Sequence, residues 1–166
     1  MPRKRIKLIT LDLDDTVWPN KKVIISAEKA MWSFIFNKFP DIRNSFDDKS
    51  IENIRTKLII ENPDLKFNLT LFRKEVLKKL FSESGLDESS STYYSNEGFN
   101  EFFRARNKVH LYKDARIILE RLSRKTNLIS LSNGNADLNI IGIGKYFHSF
   151  ISSNDVGSNK PSPGHF

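Results

Sequence analysis

The chain has no cysteine. That absence excludes a disulfide framework, a thiolate metal centre and a cysteine nucleophile, and it fits a reducing compartment. Long apolar runs are missing too, since nothing approaches the roughly 20 consecutive apolar residues needed to span a bilayer. The opening Met1-Pro2-Arg3-Lys4-Arg5 is positive, as the start of a signal peptide is. The apolar stretch behind it is broken by Lys7 and then by Asp12, Asp14 and Asp15, so no secretory core follows. The expectation is a soluble, cytoplasmic protein without a membrane partner. Histidine is scarce, and His110, His148 and His165 share no motif. Spaced so widely, they read as surface or core residues rather than ligands.

What is present suits a folded protein. The 166 residues allow one compact domain, or a small core with one insertion. Hydrophobic residues make up 39%, above the level of a disordered chain, and 13 Phe supply bulky core material. The net charge is +7, but Lys and Arg are scattered; the one tight cluster is Arg3, Lys4, Arg5 and Lys7. This reads as a solvated basic surface that attracts anionic substrates, with no nucleic-acid partner.

Residues 6–13 (IKLITLDL) form a β-branched and leucine run that turns abruptly acidic, as a strand of a parallel sheet would. Pro19-Asn20 then breaks the chain. Up to about Lys108 the spacing becomes helical. Ala27, Ala30, Met31, Phe34 and Ile35 form one stripe, and Ile51, Ile54 and Leu58 a weaker second. Leu69, Phe72, Val76 and Leu80 form a third, stopped by Gly85, and Phe99, Phe102, Phe103 and Val109 outline a fourth. Four helices without an intervening strand make a helical insertion, in which Ser89-Ser90-Ser91-Thr92 reads as a polar linker. Its aromatic stripes read as core rather than as a ligand pocket. The α/β alternation then returns. Ala115, Ile118, Leu119 and Leu122 mark an amphipathic helix over about 113–125, and residues 127–131 (NLISL) a strand. The turn Ser132-Asn133-Gly134-Asn135 and a short helical stretch near 137–141 follow, and residues 147–152 (FHSFIS) are a third strand. The boundaries are a discontinuous α/β core, 1–19 and 109–166, with a helical insertion over 20–108. Strands alternating with helices imply a doubly wound parallel sheet, whose site lies beyond the carboxyl ends of its strands.

Three polar clusters fall at such ends. Asp12 and Asp14, two apart after a strand, can face one reacting centre. That pair suits one nucleophile and one proton carrier, or a hard divalent cation such as Mg2+. Taken alone, the cluster is also compatible with an Asx turn or a helix cap. Ser132, Asn133 and Gly134 offer a hydroxyl, a main-chain N–H and room for close approach, which together make an anion cradle or an ordinary turn. Lys160, before Pro161, supplies a point charge suited to phosphate.

Together the order and spacing resemble the haloacid dehalogenase-like superfamily, a family populated mostly by phosphatases. Asp12-Leu13-Asp14-Asp15-Thr16 matches its first motif, Leu131-Ser132-Asn133-Gly134 its second and Lys160-Pro161-Ser162-Pro163 its third. The helical insertion resembles the family's mobile cap. Within the family, LDLDDTVWPN and SNGNADL look like the bacterial branch that contains the riboflavin-pathway pyrimidine phosphatase. The resemblance implies a Rossmann-like parallel sheet with an all-α cap, Mg2+ as cofactor and a small phosphorylated metabolite as substrate. It assigns Asp12 as nucleophile, Asp14 as acid and base, Ser132, Asn133 and Gly134 as phosphate binders, and Lys160 as charge partner. The metal would sit on the Asp12 carboxylate and the Asp14 carbonyl. Thr16 would brace the turn, and Trp18-Pro19 would shape the route into the cap. Because Asp14 is an acid, phosphatase is expected over dehalogenase.

Family members continue past the third motif to a fourth strand and a further acidic motif, whereas this sequence ends at His165-Phe166. A chain cut short, with about three strands, is therefore expected. Its metal ligation would be incomplete, and the open edge of residues 6–13 would be free to self-associate. The alternatives are an impaired remnant or interaction module that keeps the motifs by descent, and a basic nucleic-acid-binding protein that rests on charge alone.

Overall fold

A computed structural model of the chain describes residues 6–163. The basic residues Arg3, Lys4 and Arg5, and His165, lie outside the described residues. In chain order the elements are β1 (Leu8–Leu11), α1 (Asn20–Lys38), α2 (Pro40–Ser45), α3 (Asp48–Glu61), α4 (Leu69–Glu83) and α5 (Glu88–Arg106). Then come α6 (Ala115–Ser123), β2 (Asn127–Ser132), α7 (Leu138–Ile141), β3 (Ser149–Ser152) and α8 (Ser153–Val156). The described residues gather into two compact units, one over Ile24–Arg106 and one formed by the flanking segments 6–23 and 107–163. Among the described residues no helix is long and apolar enough to cross a membrane.

The flanking unit is mixed α/β. Among the described residues its three strands are all parallel, in the order β1-β2-β3. Leu11 lies opposite Ser130 and Ser132 opposite Ser152, so the pairing brings the carboxyl ends of the strands to one edge of the sheet. Ile9 and Leu11 pack against a buried cluster containing Leu13, Val17, Trp18, Leu119, Leu128, Leu138, Ile143 and Phe147.

Two strands are shorter than their apolar runs suggest. β1 stops at Leu11 because the chain turns: the main-chain N–H groups of Thr16 and Val17 both donate to the Leu13 carbonyl, at 3.1 and 2.8 Å. Leu13 is buried, so it anchors this turn rather than extending the strand. β3 starts at Ser149 because the Phe147 N–H closes a 3-10 turn onto the Gly144 carbonyl at 3.0 Å. α6 buries Leu119, with Ala115 and Leu122 beside the same cluster, whereas Ile118 points away and is half exposed. The expected stripe therefore runs 115, 119, 122 and leaves Ile118 on its flank.

The helical unit is held by one continuous core. Ala27, Met31 and Ile35 of α1, Ile51 and Ile54 of α3, Val76, Leu77, Leu80 and Phe81 of α4, and Phe99 and Phe102 of α5 form it. Each large side chain taken fully out of water contributes about 1.5–3 kcal/mol. Phe39 meets Tyr94 edge-on at 4.8 Å, and Phe99 stacks on Phe103 at 5.7 Å. The aromatic stripes are thus core, as their spacing suggested. The Arg73 guanidinium lies 3.7 Å from the centre of the Phe102 ring and donates to Glu28 at 2.9 Å. Burial pushes Arg73 below its ordinary range, and the Glu28 carboxylate opposes that shift.

Helix starts repeat one device. Asp47 accepts the Ser50 N–H at 2.8 Å, Asn68 the Leu71 N–H at 2.9 Å and Asp87 the Ser90 N–H at 2.9 Å. This last cap overturns the reading of Ser89-Ser90-Ser91-Thr92 as a linker, because those residues are the first turn of α5. The Ser90 N–H and hydroxyl hold the Asp87 carboxyl below the usual range. Ser91 and Ser95 are buried and return their hydroxyls to main-chain carbonyls. Between α4 and α5, Gly85 ends the helix at φ +92°, a left-handed conformation that few other residues adopt.

Small residues let α5 lie close to its neighbours. A β-carbon at Gly98 would sit 3.1 Å from Leu77 Cδ1 and 3.6 Å from Ile35 Cδ1. Gly98→Val is therefore expected to destabilise the protein by about 1–3 kcal/mol through overpacking. Urea unfolding followed by circular dichroism checks this, and an unchanged midpoint contradicts it.

Candidate active site

The acidic turn after β1 is fixed by its own main chain. Asp15 adopts φ +59°, donates its N–H to the Trp18 carbonyl at 2.8 Å and accepts the Asn20 N–H on Oδ1 at 2.8 Å. Asp15 thus closes the turn and is not aimed at a reacting centre. The Asp12 side chain is 44% exposed, open enough to meet a substrate. Its Oδ1 accepts the Lys160 ammonium at 2.6 Å, and its Oδ2 lies 3.4 Å from the Thr16 hydroxyl, a long contact. Asp14 is half-buried, and its Oδ1 accepts the Trp18 indole N–H at 2.9 Å.

At the end of β2, Ser132 is buried and its Oγ accepts the Gly134 N–H at 2.9 Å. A hydroxyl that accepts this way keeps its own hydrogen to donate. The Asn133 side chain turns toward the third motif, with Oδ1 accepting the Lys160 N–H at 2.8 Å. Its main-chain carbonyl accepts the Ser153 hydroxyl at 3.1 Å. Ser153 is itself buried at the start of α8. Lys160 completes the circuit, since its Nζ also donates to the Leu131 carbonyl at 2.7 Å. The loop following Ser132 is held from outside as well, because Asn107 Oδ1 accepts the Asp137 N–H at 2.8 Å.

Asp12, Ser132, Asn133, Gly134 and Lys160 therefore lie together at one edge of the sheet, joined through Lys160 and Asn133. Asp14 stands two residues from Asp12 in the same turn but hydrogen bonds to Trp18. Sequence reasoning did not single out the Asn133 side chain, Ser153 or Asn107. Ser153 had a local signal in the Ser152–Asp155 capping box, which forms here and starts α8 directly after β3. Asn107 had none. Trp18 is wholly buried in the α/β unit, so its side chain acts as core and as a hydrogen-bond donor. His110 and His148 are exposed. Among the described residues no group of three or more His, Cys, Asp or Glu side chains is placed to hold a metal ion. The Asp12 carboxylate, 44% exposed, is open to a cation as well as to a substrate.

The chain as a whole is similar to known proteins. No family model matches the chain. The crystal structure of 2-haloacid dehalogenase from Pseudomonas syringae pv. tomato DC3000 matches with a TM-score of 0.93 and 30% identity, over 97% of this chain and 70% of that one. With that likeness, and three polar clusters at the ends of parallel strands, the chain belongs to the haloacid dehalogenase-like hydrolase superfamily. In sequence it is similar to the 5-amino-6-(5-phospho-D-ribitylamino)uracil phosphatase YigB of Escherichia coli K12. The two are 26% identical over 160 residues, covering 96% of this chain and 67% of that protein. The magnesium-bound HAD-hydrolase YfnB of Bacillus subtilis matches at TM-score 0.57 and 18% identity, over 98% of this chain and 72% of that one, a likeness of fold alone.

Because Asn133 holds Lys160 by its main chain, Asn133→Ala is expected to release that segment while leaving the sheet intact. The loss of about 1 kcal/mol for one such bond corresponds to roughly fivefold faster amide exchange at Lys160. Hydrogen exchange followed by NMR checks this, with the β2 amides as the internal control.

Proposed function

We propose that the chain is a magnesium-dependent phosphomonoesterase acting on small phosphorylated metabolites. The observation that carries this reading is the second carboxylate, Asp14, two residues beyond Asp12 and held in a defined orientation by the Trp18 indole. A phosphoester releases an alkoxide that needs a proton, whereas a halide leaves without one.

In this mechanism an Asp12 carboxylate oxygen attacks phosphorus, the ester P–O bond breaks and an aspartyl phosphate forms. Asp14 gives its proton to the departing oxygen, which keeps the bonding electron pair. Water then attacks the aspartyl phosphate, Asp14 takes its proton, and inorganic phosphate leaves with Asp12 regenerated. The Ser132 hydroxyl and the Asn133 N–H hold the non-bridging oxygens, and the Lys160 ammonium offsets charge beside Asp12. The Asp12 carboxylate and the Asp14 main-chain carbonyl would hold the metal, and such oxygen donors fit a hard cation. Bound there, Mg2+ would neutralise charge on the phosphoryl group.

A second reading, hydrolysis of 2-haloacids, is favoured by the name of the Pseudomonas relative. The name of the Escherichia relative favours the first and adds its phosphoribitylamino-uracil to the substrates worth testing.

Purified protein is expected to hydrolyse p-nitrophenyl phosphate with magnesium and to lose that turnover in EDTA. Asp12→Asn is expected to lower kcat by about 10³-fold or more. No chloride release from 2-chloropropionate is expected. Chloride release without phosphatase turnover would reverse the order of the two readings.

A further inference from the structure

The Trp18 indole is wholly buried among Leu13, Val17, Leu119 and Leu128, so its N–H needs an acceptor inside the protein. That acceptor is Asp14 Oδ1 at 2.9 Å. Both partners are fixed by the main chain as well. Asp14 and Trp18 form a parallel bridge, and the Trp18 carbonyl accepts the Asp15 N–H at 2.8 Å. A rigid, packed ring therefore grips one oxygen of a carboxylate that lies in a short, strongly tied turn.

An indole nitrogen donates and never accepts. The oxygen it contacts must therefore remain an acceptor whether Asp14 is protonated or not. We propose that Trp18 is a positioning residue for proton transfer: its buried N–H holds Asp14 by Oδ1 and so fixes the orientation of the carboxyl group that gives and takes the proton. This rests on the phosphomonoesterase reading. In the first step Asp14 gives its proton to the departing alkoxide as the P–O bond breaks. In the second, Asp14 receives a proton from the attacking water. Asp14 Oδ1 stays bonded to the indole throughout, so the carboxyl group need not reorient between the two steps.

Leaving groups separate this role from a packing role. Trp18→Phe keeps an aromatic ring and removes the donor. Its kcat on glycerol phosphate, which expels an alkoxide, is expected to fall about tenfold or more, with KM within about twofold. On p-nitrophenyl phosphate, whose phenolate leaves readily without a proton, the fall is expected to stay under about threefold. Equal losses on both substrates overturn the proposal.

A second measurement needs neither turnover nor a Trp18 variant. The chain has two tryptophans, Trp18 and Trp32, whose indole N–H resonances are distinguished with Trp32→Phe. Asp14→Asn is expected to shift the Trp18 resonance and leave that of Trp32 in place; an unmoved Trp18 resonance overturns the proposal. If wild-type protein hydrolyses neither ester although the Trp18 resonance responds, the phosphomonoesterase reading itself fails, and the proton-transfer role fails with it. Turnover with equal losses in Trp18→Phe defeats only the role of Trp18.

Discussion

The Lys160 ammonium donates at once to the Asp12 carboxylate and to the Leu131 carbonyl, while the Lys160 main-chain N–H donates to the Asn133 side chain. One residue thus joins the end of β1 to the end of β2, and Ser153 ties the end of β3 to the same loop. The ion pair adds little stability, since a pair this exposed contributes less than about 1 kcal/mol. Its weight lies in geometry: it sets the orientation of Asp12 and brings the third cluster to the other two. The parallel register supplies the common edge, and the lysine joins the three clusters there into one candidate site.

The sheet edge was legible because chemistry and strand endings coincide in the sequence. Residues 8–11 and 127–132 are apolar runs that stop at polar clusters, and parallel pairing needs only those runs to align. The helical stretch was legible for a similar reason, since Ala27, Met31 and Ile35 recur at four-residue spacing and are buried together. Shorter-range signals were more ambiguous. The Ser89–Thr92 tetrapeptide is polar enough for a loop, and what makes it helix is the carboxylate of Asp87, which satisfies N–H groups that would otherwise be left over. Ile118 fitted an amphipathic stripe by spacing, but small differences in angle around α6 leave it half exposed.

The connections between clusters were not legible at all. No spacing rule links Lys160 to the carbonyl of Leu131, or Asn107 to the N–H of Asp137, because these bonds exist only once distant segments have met. The same holds for Trp18. Its neighbourhood in sequence suggested an entrance, whereas its burial beside Leu119 and Leu128 makes it part of the core. One residue can thus fill space with its ring while its one polar atom reaches the acidic turn.

The partners Asp12 and Lys160 stand 148 positions apart in the chain. Closing so long a loop costs entropy before any contact rewards it, and proteins rich in such contacts fold slowly. The helical unit faces a smaller demand, since Glu28 and Arg73 are 45 positions apart. During folding, helices within Ile24–Arg106 can therefore gather while the two flanking segments are still searching for each other. Asp12 would spend that interval as an ordinary solvated carboxylate, without its ammonium neighbour. The candidate site is thus built by long-distance assembly rather than carried by any one stretch of chain.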